Sequence, residues 1–188
     1  SFMASLSRGL TRTRKVNRFL VPAGRDTSIT YVASEHSYTL IAVNSSRKPD
    51  SVARRLRELY KAMPAKRFDI IELSVARDSG TWRGNILGDS TRWRQGWLPG
   101  GVASPRLTEL AVGALPYYIL TDSTGLIVYD GVSVTRADTL VRRLLGHPAT
   151  PREEIDTDTL ATAATPAATA EAAVPDRPGK LKIKPTKQ

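Results

Sequence analysis

Cysteine is absent from the chain, which excludes disulfides, thiolate metal sites and every mechanism in which this chain supplies a thiol. Histidine is nearly absent too. His36 and His147 stand alone, with no His-x-x-His or Glu-x-x-His spacing to gather a metal ion or a general base. Ser45 and Ser46 lack a Gly-x-Ser-x-Gly turn around them and read as turn serines. No catalytic residue, metal site or cofactor is therefore expected. No apolar run reaches the roughly 20 residues that span a bilayer, and no apolar leader core lies near the start. The chain thus reads either as cytoplasmic or as the mature form of an exported protein. Ser1-Phe2 precede Met3, so the natural N-terminus stays open.

Large apolar residues are also missing from the C-terminal part, where TLATAATPAATAEAAVPDRPGK runs from Thr159 to Lys180. Such a composition buries too little surface to offset its ordering entropy. Residues 148–188 are expected to be a disordered Ala/Thr/Pro-rich tail with a basic end at Lys180, Lys182, Lys184 and Lys187.

The net charge of +10 suggests a polyanion partner until it is divided along the chain. Residues 1–30 hold six Lys and Arg against Asp26, an excess of five, and residues 31–150 hold a further excess of five. The last 38 residues carry no net charge. Half of the excess therefore sits on residues 1–26, read as a flexible basic arm able to meet nucleic acid or an anionic membrane.

What is present is 40% hydrophobic residues in 188, enough for one core. Ser37 to Met63 organises it. Tyr38, Leu40, Ile41, Ala42 and Val43 form a buried-strand run that ends at Asn44-Ser45-Ser46. Val52, Ala53, Leu56, Leu59, Tyr60 and Met63 then recur at helical spacing, with Arg54, Arg55, Arg57 and Lys61 on the other side. Asp50 and Ser51 suit the first helical positions, where they offset the positive end of the dipole. Ile29–Val32 and Tyr38–Val43, linked by a polar segment, are expected to pair as a hairpin, and Phe68–Val75 is a third strand. Residues 76–101 hold Trp82, Trp93 and Trp97, with Asp78-Ser79 capping a short helix to Leu87. The three Trp form a secondary candidate surface for stacking bases or sugars beside Arg83, Arg92 and Arg94, although packing of a lid on the sheet edge is the simpler reading. Ser104-Pro105 starts a helix ended by Gly113. Tyr117–Leu120 and Leu126–Tyr129 flank a turn cluster, and Thr135 is the expected cap of a last helix carrying Leu140, Val141, Leu144 and Leu145.

This order resembles the thioredoxin-like superfamily, in particular its periplasmic TlpA/ResA-like branch. IAVNSSRKPDSVARRLRELY is similar to the segment where that family writes a strand, Trp-Cys-x-Pro-Cys and a long helix. TRWRQGWLPGGVASPRLTELAVGALPYYILTDSTGLIVYDG is similar to its tryptophans, Ser-Pro helix and closing hairpin, and Leu115-Pro116 falls at its cis-proline. The resemblance implies an α/β three-layer sandwich over residues 27–147: a central mixed sheet of four to five strands flanked by helices, with a helical insertion. It implies a cell-envelope location, and a groove for an unknown protein or extended peptide at Arg47, Lys48, Pro49, Asp50, Leu115 and Pro116. Arg47 is expected to reach towards the cis-proline loop. Where the family has its cysteines this chain has Arg47 and Asp50, and Ser46 replaces the preceding Trp. A redox-inactive peptide-binding module follows. A basic adaptor acting through its arm, and an enzyme of unrecognised non-thiol chemistry at the same elbow, are the rival readings, because one fold serves many functions.

Overall fold

Alternation along the central apolar runs decides the layers. The computed structural model describes residues 14–24, 26–45, 47–87 and 91–146. Its elements are β1 (Phe19–Pro22), β2 (Ser28–Tyr31), β3 (Tyr38–Asn44), α1 (Asp50–Ala62), β4 (Phe68–Ser74), α2 (Ser79–Leu87), β5 (Arg94–Trp97), α3 (Pro105–Glu109), β6 (Tyr117–Asp122), β7 (Ile127–Gly131) and α4 (Val134–Leu144). Five strands form a mixed sheet in the order β5-β4-β3-β6-β7, and β1 and β2 form a separate antiparallel pair. β3 lies parallel to β4 and antiparallel to β6.

Successive residues of a strand point to opposite faces. Leu40 and Ala42 of β3 join Phe68, Ile70, Tyr118 and Leu120 in a core with Leu56 and Leu59 of α1 and Ala137 and Val141 of α4. Ile41 and Val43 join Ile71, Leu73 and Ile119 in a second core with Phe19, Val21, Tyr31, Leu107 and Leu110. The result is a three-layer α/β sandwich. Asp138 ties the two helices of one layer together by accepting from Arg55 of α1 at 2.9 Å and from Arg142 of α4 at 2.6 Å.

Several expectations need correction. The arm does not extend to residue 26. Val16, Phe19 and Val21 are buried, Phe19 stacks on Tyr31 at 5.1 Å, and residues 14–16 bond to the turn and strand at Gly125 and Ile127. Phe19 and Val21 alternate across the exposed Leu20, so a strand forms once Tyr31 offers their buried face a surface. β2 and β3 do not make a hairpin: β2 returns to β1 in the register Phe19↔Tyr31, because β3 is buried on both faces and needs a central place. β5 was not foreseen. It pairs in parallel with β4, held partly by Arg94, which donates to Asp69 at 2.6 Å and to the Thr30 carbonyl at 2.7 Å. α3 ends at Glu109, before Gly113, and Ala111 takes a positive φ of 54°. The cap of α4 is Ser133, whose hydroxyl accepts from Arg136 N at 3.2 Å, two residues before Thr135. Gly125 is required by geometry: its φ is +82°, and a Cβ there would meet the Val16 carbonyl at 2.7 Å. The expected tail, residues 1–13 of the expected arm and His147 lie outside the described residues.

Phe19→Ala should lower the unfolding free energy by about 3–5 kcal/mol. Leu20→Ala, at a position 58% exposed, should change it by less than about 0.5 kcal/mol. Denaturant melts of the two variants decide whether this segment belongs to the core; equal midpoints for both and the parent would place it outside.

Candidate functional site

Two inner strands meet at one end of the sheet, where β3 finishes and β6 begins. β3 stops at Asn44, and α1 begins at Asp50 with Pro49 as its N-cap. Pro49 has no side-chain acceptor, so the first N–H groups of α1 lack a side-chain cap. The antiparallel register Val43↔Tyr117 sets Asn44 beside Pro116, and the Leu115-Pro116 bond is cis. The peptide N–H and C=O of Leu115 bond to no described residue. Asn44 is only 3% exposed, yet both its amide nitrogen and its amide oxygen lack a partner among the described residues. Asn44 shares a face with Glu72 and Ser74, since these parallel strands pair Asn44 with Ser74.

Lys48 departs from expectation. Its side chain is 8% exposed and turns inward, where Nζ donates to both carboxylate oxygens of Glu72 at 2.9 and 3.0 Å. Glu72 Oε2 also accepts from Trp93 Nε1 at 2.8 Å, and the Lys48 ammonium lies 5.8 Å from the Trp93 ring centre. The sequence alone gave no role to Glu72; the available signal was a carboxylate at an inward position of an otherwise apolar strand. Tyr118 lies two strands away on the same face, across Ala42, through the pairs Ala42↔Glu72 and Ala42↔Tyr118. Burial, followed by the negative charges of Glu72 and Tyr129, pushes its phenol up to about 12. Its hydroxyl has no partner among the described residues.

On the far side of α1 from the cis-proline loop lies a cleft of about 540 Å³. Asp50, Ala53 and Arg57 of α1 form one wall, with Ser45 and Arg47 from the elbow. Glu72, Ser74 and Gln95 make the floor, and Trp82, Gly84 and Asn85 of α2 the other wall. Leu115 and Pro116 do not line it. Arg47 is thus directed to the α2 side, not towards the cis-proline loop, and the six expected binding residues divide: Arg47, Lys48 and Asp50 at the cleft, Leu115 and Pro116 at the strand end, and Pro49 exposed between them.

The tryptophans do not form a stacking surface. Trp82 and Trp93 are 3% and 6% exposed. Trp93 packs edge-on against Tyr60 at 5.6 Å, and Trp97 Nε1 donates to the Ala76 carbonyl at 2.9 Å. They anchor the insertion on the sheet edge.

Comparison with solved structures decides the fold. The chain is similar to the thioredoxin domain of a thiol-disulfide oxidoreductase from Bacteroides vulgatus, at 19% identity and a TM-score of 0.62 over 73% of this chain and 99% of that one. It is also similar to a thiol-disulfide oxidoreductase from Bacteroides fragilis, at 24% identity and 0.61 over 70% and 100%. A thiol:disulfide interchange protein from a Bacteroides species matches at 20% and 0.60 over 71% and 90%. The fold is thioredoxin-like. No family model and no curated protein sequence matches the chain. This thioredoxin-like chain contains no cysteine, so it cannot carry out the thiolate attack and resolution of dithiol exchange. Among the described residues, no helix is long and apolar enough to cross a membrane.

Lys48→Met or Glu72→Gln alone should cost about 3–5 kcal/mol, because each removes one partner of a buried ion pair. The double variant should recover much of that loss, giving a coupling above about 1 kcal/mol in a double-mutant cycle. Additive losses would show that the pair acts as two independent residues.

Tyr118 gives a pH prediction. Its folded pKa lies above its unfolded value, so between pH 10 and about 12 the unfolded chain releases this proton first. Stability should therefore be full below pH 10 and fall as pH rises, by roughly 2–3 kcal/mol from this group. Tyr118→Phe should be nearly neutral at pH 7, since the buried hydroxyl has no partner among the described residues, and should flatten the alkaline fall. Parallel curves for the two proteins from pH 9 to 12 would refute it.

Proposed function

We propose that this thioredoxin-like domain is a redox-inactive binding module for an extended peptide, held where β3 ends and β6 begins. The N–H and C=O of Leu115, which bond to no described residue, carry the reading. An extended chain laid beside them gains main-chain hydrogen bonds without any chemistry, the logic of strand addition. Asn44, buried next to Pro116 with no partner for its donor or acceptor among the described residues, supports the same reading, because an unmade bond in a buried amide is costly and a ligand or a small local movement that satisfies it is favoured. The absence of cysteine removes the oxidoreductase reading that the neighbours' names suggest. A bacterial-envelope location follows the resemblance and is part of the proposal.

The reading as a basic adaptor is disfavoured by the fate of part of its arm. Arg14 pairs with Asp130 at 3.1 Å, and the Lys15 backbone bridges to Leu126, so this end of the arm is part of the domain and one of its charges is already neutralised.

The test is selection from a random hexapeptide library, acetylated and amidated, followed by amide NMR titration with the best binder. The expected shifts fall on Leu115, Tyr117 and the Asn44 side-chain amide. Failure to select a binder, or a binder that leaves Leu115 and Tyr117 unmoved, would remove the groove from consideration.

A further inference from the structure

The cleft between α1 and α2 is a different surface from the strand end, and its own composition is informative. It exists because small residues face one another across it. Ala53 sits at the centre of the α1 wall, and Gly84 of α2 is so open that an added Cβ would meet nothing within 4 Å. Its charged lining is Arg47, Lys48 and Arg57 against Asp50 and Glu72. The Lys48 and Glu72 charges are spent on each other at 2.9 Å. Arg47 and Arg57, by contrast, make no side-chain hydrogen bond or ion pair to any described residue. Arg57 follows Asp50 by seven residues, about 10 Å along the helix, so a ligand lying in the trough spans both ends. The uncapped start of α1 adds positive potential at the Arg47 end.

We infer that this cleft binds a carboxylate carried on a polar ligand, with Arg47 and Arg57 as the recognising groups. A guanidinium presents two parallel donors that match the two oxygens of a carboxylate. Arg47 and Arg57 against Asp50 leave one net positive charge at the rim, which a singly charged carboxylate neutralises and a dianion such as phosphate over-compensates at a greater desolvation cost. The volume is that of a small-molecule site, and a free carboxylic acid or the C-terminus of a peptide presents the same chemistry. The inference does not rest on the peptide groove.

The intact protein is titrated with N-acetylglycine and with an acetylated Gly-Gly-Ser-Gly peptide bearing a free carboxylate, followed by the Trp82 indole N–H and by calorimetry. The corresponding amides and inorganic phosphate serve as comparison. At least one carboxylate should move Trp82 and its amide should not; which of the two binds more tightly identifies a free or a peptide source. Arg47→Gln and Arg57→Gln should each weaken binding about tenfold or more, whereas Arg54→Gln, on the exposed side of α1 outside the cleft, should have no effect. Gly84→Leu, which fills the cleft from a position with space for the side chain, should abolish binding with the melting temperature retained. No binding of either carboxylate, equal binding of the amides, tighter binding of phosphate, or an equal loss in Arg54→Gln would overturn the assignment. Shifts at Leu115 alone would leave the peptide groove standing and remove this site.

Discussion

β3 is buried on both faces, and that single constraint arranges the rest of the molecule. Leu40, Ile41, Ala42 and Val43 are all inaccessible to solvent, and each large side chain among them contributes about 1.5–3 kcal/mol only if something covers it. Two covering layers are therefore needed. α1 and α4 supply one, and the β1–β2 pair with α3 supplies the other. The second layer explains why a segment rich in basic residues is folded at all. Without Val16, Phe19 and Val21, the Ile41, Val43 and Ile71 side would be exposed along with Tyr31, whose hydroxyl reaches through to Thr121 at 2.8 Å.

The same strand sets the position of the site. Because β3 runs parallel to β4 and antiparallel to β6, its C-terminal end lies beside the end of β4 and the start of β6. The elbow into α1 must then lie between a helix start on one side and the Leu115-Pro116 loop on the other. A sheet of this topology places backbone groups, a helix start and loop residues together without any particular catalytic residue. The site can therefore persist in a chain that has no thiol.

How much of this was legible follows from how each residue earns its place. α1, β3 and β4 were readable because long apolar runs and a helical stripe bury themselves whatever the context. β5 was not, because Arg94-Gln95-Gly96-Trp97 has no period of its own, and becomes a strand only through pairing with β4 and the Arg94 bonds to Asp69. β1 failed for a related reason: Phe19-Leu20-Val21 is too short an apolar run to show a period of its own, and the value of Phe19 depends on Tyr31, twelve residues later in the register Phe19↔Tyr31. The elbow residues were correctly gathered at the strand-to-helix junction, but the inward turn of Lys48 depends on Glu72, 24 positions away. Local reading has no access to such a pair.

That pair also decides which side of α1 can address a ligand. An unpaired Glu72 in the cleft floor would oppose any anion entering, and an unpaired Lys48 would dominate the site as a single point charge. Bound to each other, and with Trp93 Nε1 satisfying a further lone pair, they leave a nearly neutral floor. The field in the cleft then comes from Arg47, Asp50, Arg57 and the start of α1, groups at the rim that solvent or a ligand can reach. A buried ion pair adds little net stability over apolar residues of similar size. Its consequence here is geometric: Glu72 holds the Lys48 side chain over β4, while Arg47 lines the cleft beside α2.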